Sequence, residues 1–220
     1  LFALCISWLK PLYAHQLRPA IVTINFEPGA QVKVQIETNV EALISGIGAE
    51  HENTDNAPQV EVYRGLRELA SADLQQKFRP FAADYQSGLK LLVDGTAVDW
   101  KFESVMVPEV GDVRLSRKSL IQFSAQIPAA SRAATWSYAA KYGDAVVNFV
   151  SAGQNEKTTY WLIKGESSPP YPLQGKNLVR SWSDVALDYT GLGYLHILPR
   201  GLDHILFVIG LFLLSRHFPP

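Results

Sequence analysis

Two hydrophobic periods divide the chain. "AIVTINF" (20–26) and "QVKVQIETN" (31–39) alternate apolar and polar residues around "EPG", which predicts a β-hairpin. "EALISGIGAEHENTDNAP" (41–58) begins apolar and turns into a polar, acidic loop. In "VEVYRGLRELASADLQQKFRPFAADYQSG", Val62, Leu66 and Leu69 share helical spacing, and Ser71 is placed to N-cap a second helix from Ala72 that ends at Gly88. Period two then returns in "LKLLVDG", "TAVDWKFESVMVP", "SLIQFSAQIP", "TWSYAAKYGDAVVNFVS" and "TTYWLIKGE", with turn signals at Asp94-Gly95 and Tyr142-Gly143-Asp144. Short strands at this spacing predict a mainly β fold with a helical insertion. The expected form is an antiparallel β-sandwich-like domain over residues 15–166, with its helical pair at about 59–87.

The two ends depart from this pattern. "LFALCISWLKPLYA" (1–14) has a short apolar core, a helix-breaking Pro11 and Ala14 at a cleavage edge, the layout of most of a signal peptide. After the Pro-rich "SSPPYPLQG" (167–175), residues 167–191 read as a linker and membrane approach, with Trp182, Tyr189 and Tyr194 suited to the lipid–water interface. Residues 192–215 are long and apolar enough to be a transmembrane helix, the first of a larger membrane domain. A leader before the β-rich domain and one spanning helix after it place that domain outside the cytoplasm. Arg216 after the helix agrees with that orientation.

A formal net charge of −1 gives no electrostatic case for nucleic acid. The single cysteine, Cys5, falls in the leader, so the mature chain would carry none and needs no disulfide.

Candidate chemistry concentrates in "GYLHILPRGLDHILFVIGLFLLS" (193–215), an apolar stretch that carries His196, Arg200, Asp203 and His204. Ionisable groups cost several kcal/mol in a bilayer, on the order of 2.5–3.5 by insertion scales, so they usually face a cavity, a partner or a ligand. Imidazole suits borderline transition metals and a carboxylate neutralises their charge. On one straight helix His196 and Asp203 would lie about 10 Å apart along the axis, too far to share an ion. Pro199 and Gly201 make a break plausible there, which would bring the groups together. Two readings stay open: metal handling by His196, Asp203 and His204, or pairing of Arg200 with Asp203 at the headgroup level.

Cleavage after Ala14 would make His15 the mature N-terminus, where α-amine and imidazole together chelate copper or nickel. The plainer alternative is a polar residue opening the first strand. Glu50, His51, Glu52 and Asp55 offer a weak cation site or a solvated acidic loop. "GQNEKTT" (153–159) lacks the GK[ST] ending and the strand-to-helix setting of a phosphate loop. No nucleophile–base or paired-carboxylate pattern stands out, so the chain does not read as an enzyme. An intramembrane metal-dependent hydrolase has only the His/Asp cluster in its favour.

"LHILPRGLDHILFVIGLFLLS" resembles the opening membrane segment of the HupE/UreJ family, in its version with a large extracytoplasmic domain. The family's His-Ile-x-x-x-Gly-x-Asp-His-x-Leu-Phe type of pattern falls on His196, Ile197, Gly201, Asp203, His204, Leu206 and Phe207, which is one residue more between His196 and Gly201 than the family's commoner spacing. "AHQLRPA", "VYRGLRELASADLQQKFRPFAADYQSGLKLLVDG" and "YWLIKGESSPPYPL" are similar to other parts of the family. The resemblance implies a multi-helix protein of the bacterial inner membrane with a periplasmic domain. It further implies a nickel or cobalt permease, or an accessory to metal delivery, with His196, Asp203 and His204 at the metal. The competing expectation is a membrane-anchored extracytoplasmic module that binds metal, or a protein partner, without transporting anything.

Overall fold

The computed structural model describes residues 19–48, 50–51, 54–113, 115–151 and 157–174, and nine further positions between Ser183 and Gly210. Two compact units divide the chain, residues 1–175 and 176–220.

Among the described residues of the first unit, ten strands form two sheets. β1 (Ala20–Glu27), β2 (Gln31–Thr38), β5 (Trp100–Met106), β6 (Ser119–Gln126), β8 (Ala145–Val150) and β9 (Lys157–Leu162) make a six-stranded sheet in the order β5-β6-β2-β1-β8-β9. β3 (Leu89–Val93), β4 (Thr96–Ala97), β7 (Ala133–Tyr138) and β10 (Tyr171–Pro172) make a four-stranded one in the order β10-β7-β3-β4. The fold is therefore mainly β with an early helical insertion, and neither sheet is a barrel. One pairing departs from the antiparallel expectation: β1 runs parallel to β8, in register from Ala20↔Ala145 to Asn25↔Val150. β1 has the antiparallel β2 on its other side, so it sits inside the sheet and its apolar alternation is buried on one face.

The hairpin at "EPG" forms as its sequence suggests, with Gly29 and Ala30 both at positive φ. Asp94-Gly95 also turns at positive φ, and the Asp94 carboxylate accepts from the backbone N–H groups of Arg132 and Ala133, fixing the β3–β4 turn beside β7.

Three helices follow. α1 (Val40–Ser45) covers the apolar start of the 41–58 stretch, to which the sequence assigned no element. Its caps were in the sequence: Asn39 accepts from the N–H of Ala42 at 3.1 Å, and Gly46 ends it at φ 73°. α2 (Val60–Glu68) and α3 (Ser71–Ser87) are the expected pair. Ser71 does not cap α3; its hydroxyl donates to the carbonyl of Val107 and ties the helix start to the loop after β5. Gly88 closes α3 where the Tyr142 ring approaches so closely that a Cβ would lie 2.5 Å from it.

The inner faces of both sheets and the buried stripe of α3 share one core. Leu74, Phe78, Ala82 and Tyr85 recur at three- and four-residue spacing on α3. Trp100 of β5 meets Trp136 of β7 edge-on at 5.3 Å. Tyr171 of β10 stacks on Phe149 and Phe26, at 4.8 and 5.9 Å, so the Pro-rich run adds a strand to the core. The Tyr85 and Tyr138 hydroxyls meet at 3.0 Å inside the core.

Burial pushes both phenols well above the ordinary tyrosine value; for Tyr85 the neighbouring Tyr138 adds to the effect. The folded state therefore keeps protons that the unfolded chain releases above about pH 10. The stability these groups contribute is complete below that pH and is lost as pH rises beyond it. Ultraviolet titration is expected to show Tyr85 and Tyr138 ionising after exposed tyrosines and together with unfolding. Tyr85→Phe, which removes one partner of the Tyr138 hydroxyl and leaves it Thr38, is expected to cost about 1 kcal/mol in urea denaturation.

Candidate functional site

His15, His196, Asp203 and His204 lie outside the described residues, as do the leader and the polar part of the expected membrane segment. In the second unit Ser183, Ala186, Leu187, Thr190 and Gly191 are helical, and Thr190 Oγ1 donates to the carbonyl of Ala186 at 2.7 Å. Leu206, Phe207, Ile209 and Gly210 are helical too, and the three large apolar side chains are exposed. Among the described residues no helix is long and apolar enough to cross a membrane, and no three His, Cys, Asp or Glu side chains gather into a metal-binding group.

The acidic loop does not assemble a site from its described members. His51 lies 3.6 Å from the exposed carboxylate of Glu50, while Asp55 pairs with Arg64 of α2 at 3.5 Å. Glu52 is outside the described residues.

The polar cluster that the structure does assemble was not anticipated. Glu41, in the first turn of α1, is fully buried. Its Oε1 accepts from Arg117 Nε at 2.6 Å, and Arg67 Nε stands 3.8 Å away. Arg117, just before β6, also donates from Nη2 to the carbonyl of Leu66 at 3.0 Å and from Nη1 to that of Leu69 at 2.9 Å. Those carbonyls belong to the end of α2, and that of Leu66 also accepts from the N–H of Leu69 at 3.3 Å. Arg67 donates to the Tyr63 hydroxyl at 3.1 Å and to the carbonyl of Asp112 at 3.2 Å. Asn39 donates to the same Tyr63 hydroxyl at 2.9 Å. Glu41 thus stands in the first turn of α1 with two guanidinium groups beside it.

This cluster joins α1, α2 and the 107–118 loop to the start of β6. Its charged groups are buried, so it is a structural clasp rather than a place where a solvent-borne substrate meets a reactive group. Two open surface clefts adjoin at Asp99 and Trp100, one reaching Lys101 and the other Lys90. Nothing in the sequence singled out Glu41 or Arg117: they are 76 residues apart, and each reads locally as an ordinary surface charge.

Breaking a buried pair from one side strands the other charge, at a cost on the order of 3–5 kcal/mol. Glu41→Ala and Arg117→Ala are each expected to destabilise a fragment of residues 19–175 by about that much. Glu37→Gln, which removes an exposed 3.0 Å pair with Lys118, is expected to cost less than about 1 kcal/mol. Urea denaturation of the three variants checks the contrast.

The family model described as HupE / UreJ protein matches residues 174–220. That stretch contains His196, Asp203 and His204 and begins where the β-rich unit ends. No curated protein matches the chain.

Proposed function

We propose that this chain, whose residues 174–220 match the HupE/UreJ family, is part of a membrane protein that moves or delivers a divalent transition metal, nickel or cobalt. The observation that carries this reading is the coincidence of that match with the one stretch where two imidazoles and a carboxylate stand in an apolar sequence. Ionisable groups in such a stretch are costly unless they meet a cavity or a ligand. In this reading residues 192–215 cross the bilayer, and the β-rich unit lies on the extracytoplasmic side of a bacterial inner membrane. His196, Asp203 and His204 stand near the outer end of the span, where an arriving hydrated ion first exchanges water for protein ligands. Pro199 and Gly201 let the chain bend so that His196 approaches the other two. The metal is cargo and not a resident cofactor.

The β-rich unit contributes no catalysis in this reading. Its buried charges are committed to the clasp, and its described imidazole, His51, lies beside Glu50 on a loop. It serves as the outer domain of the transporter, for capture, regulation or assembly. His15, if it is the mature N-terminus, adds a separate copper- or nickel-chelating pair.

Nickel and cobalt uptake by cells making the full-length protein tests the assignment. Asp203→Asn and His204→Ala are expected to lower uptake by roughly tenfold or more, on the scale by which losing metal-site groups weakens metal sites. Unchanged uptake in both variants, at equal membrane levels of protein, would leave the anchored, non-transporting module as the better account.

A further inference from the structure

β9 forms one border of the six-stranded sheet, and among the described residues no strand pairs with its outer edge. Its side chains alternate cleanly. Leu162 is buried and Tyr160 packs against Phe149, so Thr158, Tyr160 and Leu162 face the core. Lys157, Thr159 and Trp161 face outward, and Lys157 and Trp161 are exposed. Trp161 stands beside Val146 and then Ile21 across the strands. Trp161 is 49% exposed, Ile163 45% and Ile21 38%. An open strand edge bordered by apolar side chains invites a further strand.

We propose that two copies of this chain pair through β9, antiparallel, about a two-fold axis at Thr159, joining their six-stranded sheets into one. The strand is self-complementary in that register. Thr159 faces Thr159 of the partner subunit, and Lys157 faces Trp161 of the partner subunit on both sides of the axis. Directly opposed Thr–Thr pairs stabilise antiparallel strands, and an ammonium over an indole adds a cation–π contact. An axis at Lys157 would instead oppose two like charges. An axis at Tyr160 would set Lys157 against an aliphatic side chain, Ile163 of the partner subunit. The result is an isologous contact that closes on itself and consumes both open edges. A five-residue pairing, Lys157 to Trp161, buries less than the roughly 800 Å² per partner of a standard interface, so the dimer is expected to be concentration-dependent and is best trapped covalently.

The test uses the full chain with Cys5→Ser. Opposed residues of antiparallel strands have Cα atoms about 4.5–5.5 Å apart, within the roughly 4.4–6.8 Å that a disulfide spans. Thr159→Cys is expected to give a cross-linked homodimer on oxidation with diamide, at least tenfold above Lys33→Cys, an exposed position on the same face two strands inward from β8. Adding Trp161→Asp to Thr159→Cys is expected to lower that yield severalfold. Should Thr159→Cys fold poorly, a mixture of Lys157→Cys and Trp161→Cys chains is expected to cross-link to each other far more than either does to itself. Equal yields at positions 159 and 33 would overturn the proposal. So would a Thr159→Cys adduct with a different protein, which would assign the edge to another partner's strand.

Discussion

A carboxylate with no contact to water sets the geometry of the helical layer. Removing Glu41 from solvent is costly, and that cost is offset only if cations come to it with well-directed hydrogen bonds. Arg117 brings such a bond from the threshold of β6, while Arg67, in the last turn of α2, adds its charge at 3.8 Å without hydrogen-bonding the carboxylate. Because Arg117 also holds the carbonyls of Leu66 and Leu69, the end of α2 is fixed relative to α1 and to the sheet. Ser71 then anchors the start of α3 to the carbonyl of Val107 in the same loop. Segments far apart in sequence converge on one buried charge.

With that layer in place, α3 closes the core of the two sheets. Aromatic side chains fill the interior by edge and stacked contacts, each worth about 0.5–1.5 kcal/mol beyond its burial. Inside the first unit the ionisable groups are either clasped together or, as with Tyr85 and Tyr138, held neutral. What remains for interaction is the outer surface, including the border of the six-stranded sheet at β9, where no described strand pairs with the outer edge.

Much of the fold was legible because its determinants are local. Period-two alternation marked the strands, Asp94-Gly95 marked its turn, and Gly88 marked the end of α3. α1 was missed although Asn39 and Gly46 announced both its ends, because six residues are too few to establish a helical period. Ser71 looked like an N-cap by residue type, but a tertiary acceptor took its hydroxyl. The parallel pairing of β1 with β8 joins residues more than a hundred positions apart, and the clasp joins residues 76 apart; no local pattern encodes either. His196, Asp203 and His204, which lie outside the described residues, stand out in the sequence for the opposite reason. Charge in an apolar run is conspicuous in sequence, and the HupE / UreJ match covers that run.

The central claim is a division of labour, with metal handled by the chain from residue 174 onward and the β-rich unit binding none in its core. Calorimetric titration with nickel separates the two most directly, comparing the full-length protein in detergent with a fragment of residues 19–175. The account expects saturable binding by the full-length protein, weakened by His204→Ala, and no binding by the folded fragment. Equal affinity in the fragment, or full-length binding indifferent to His204, would contradict it.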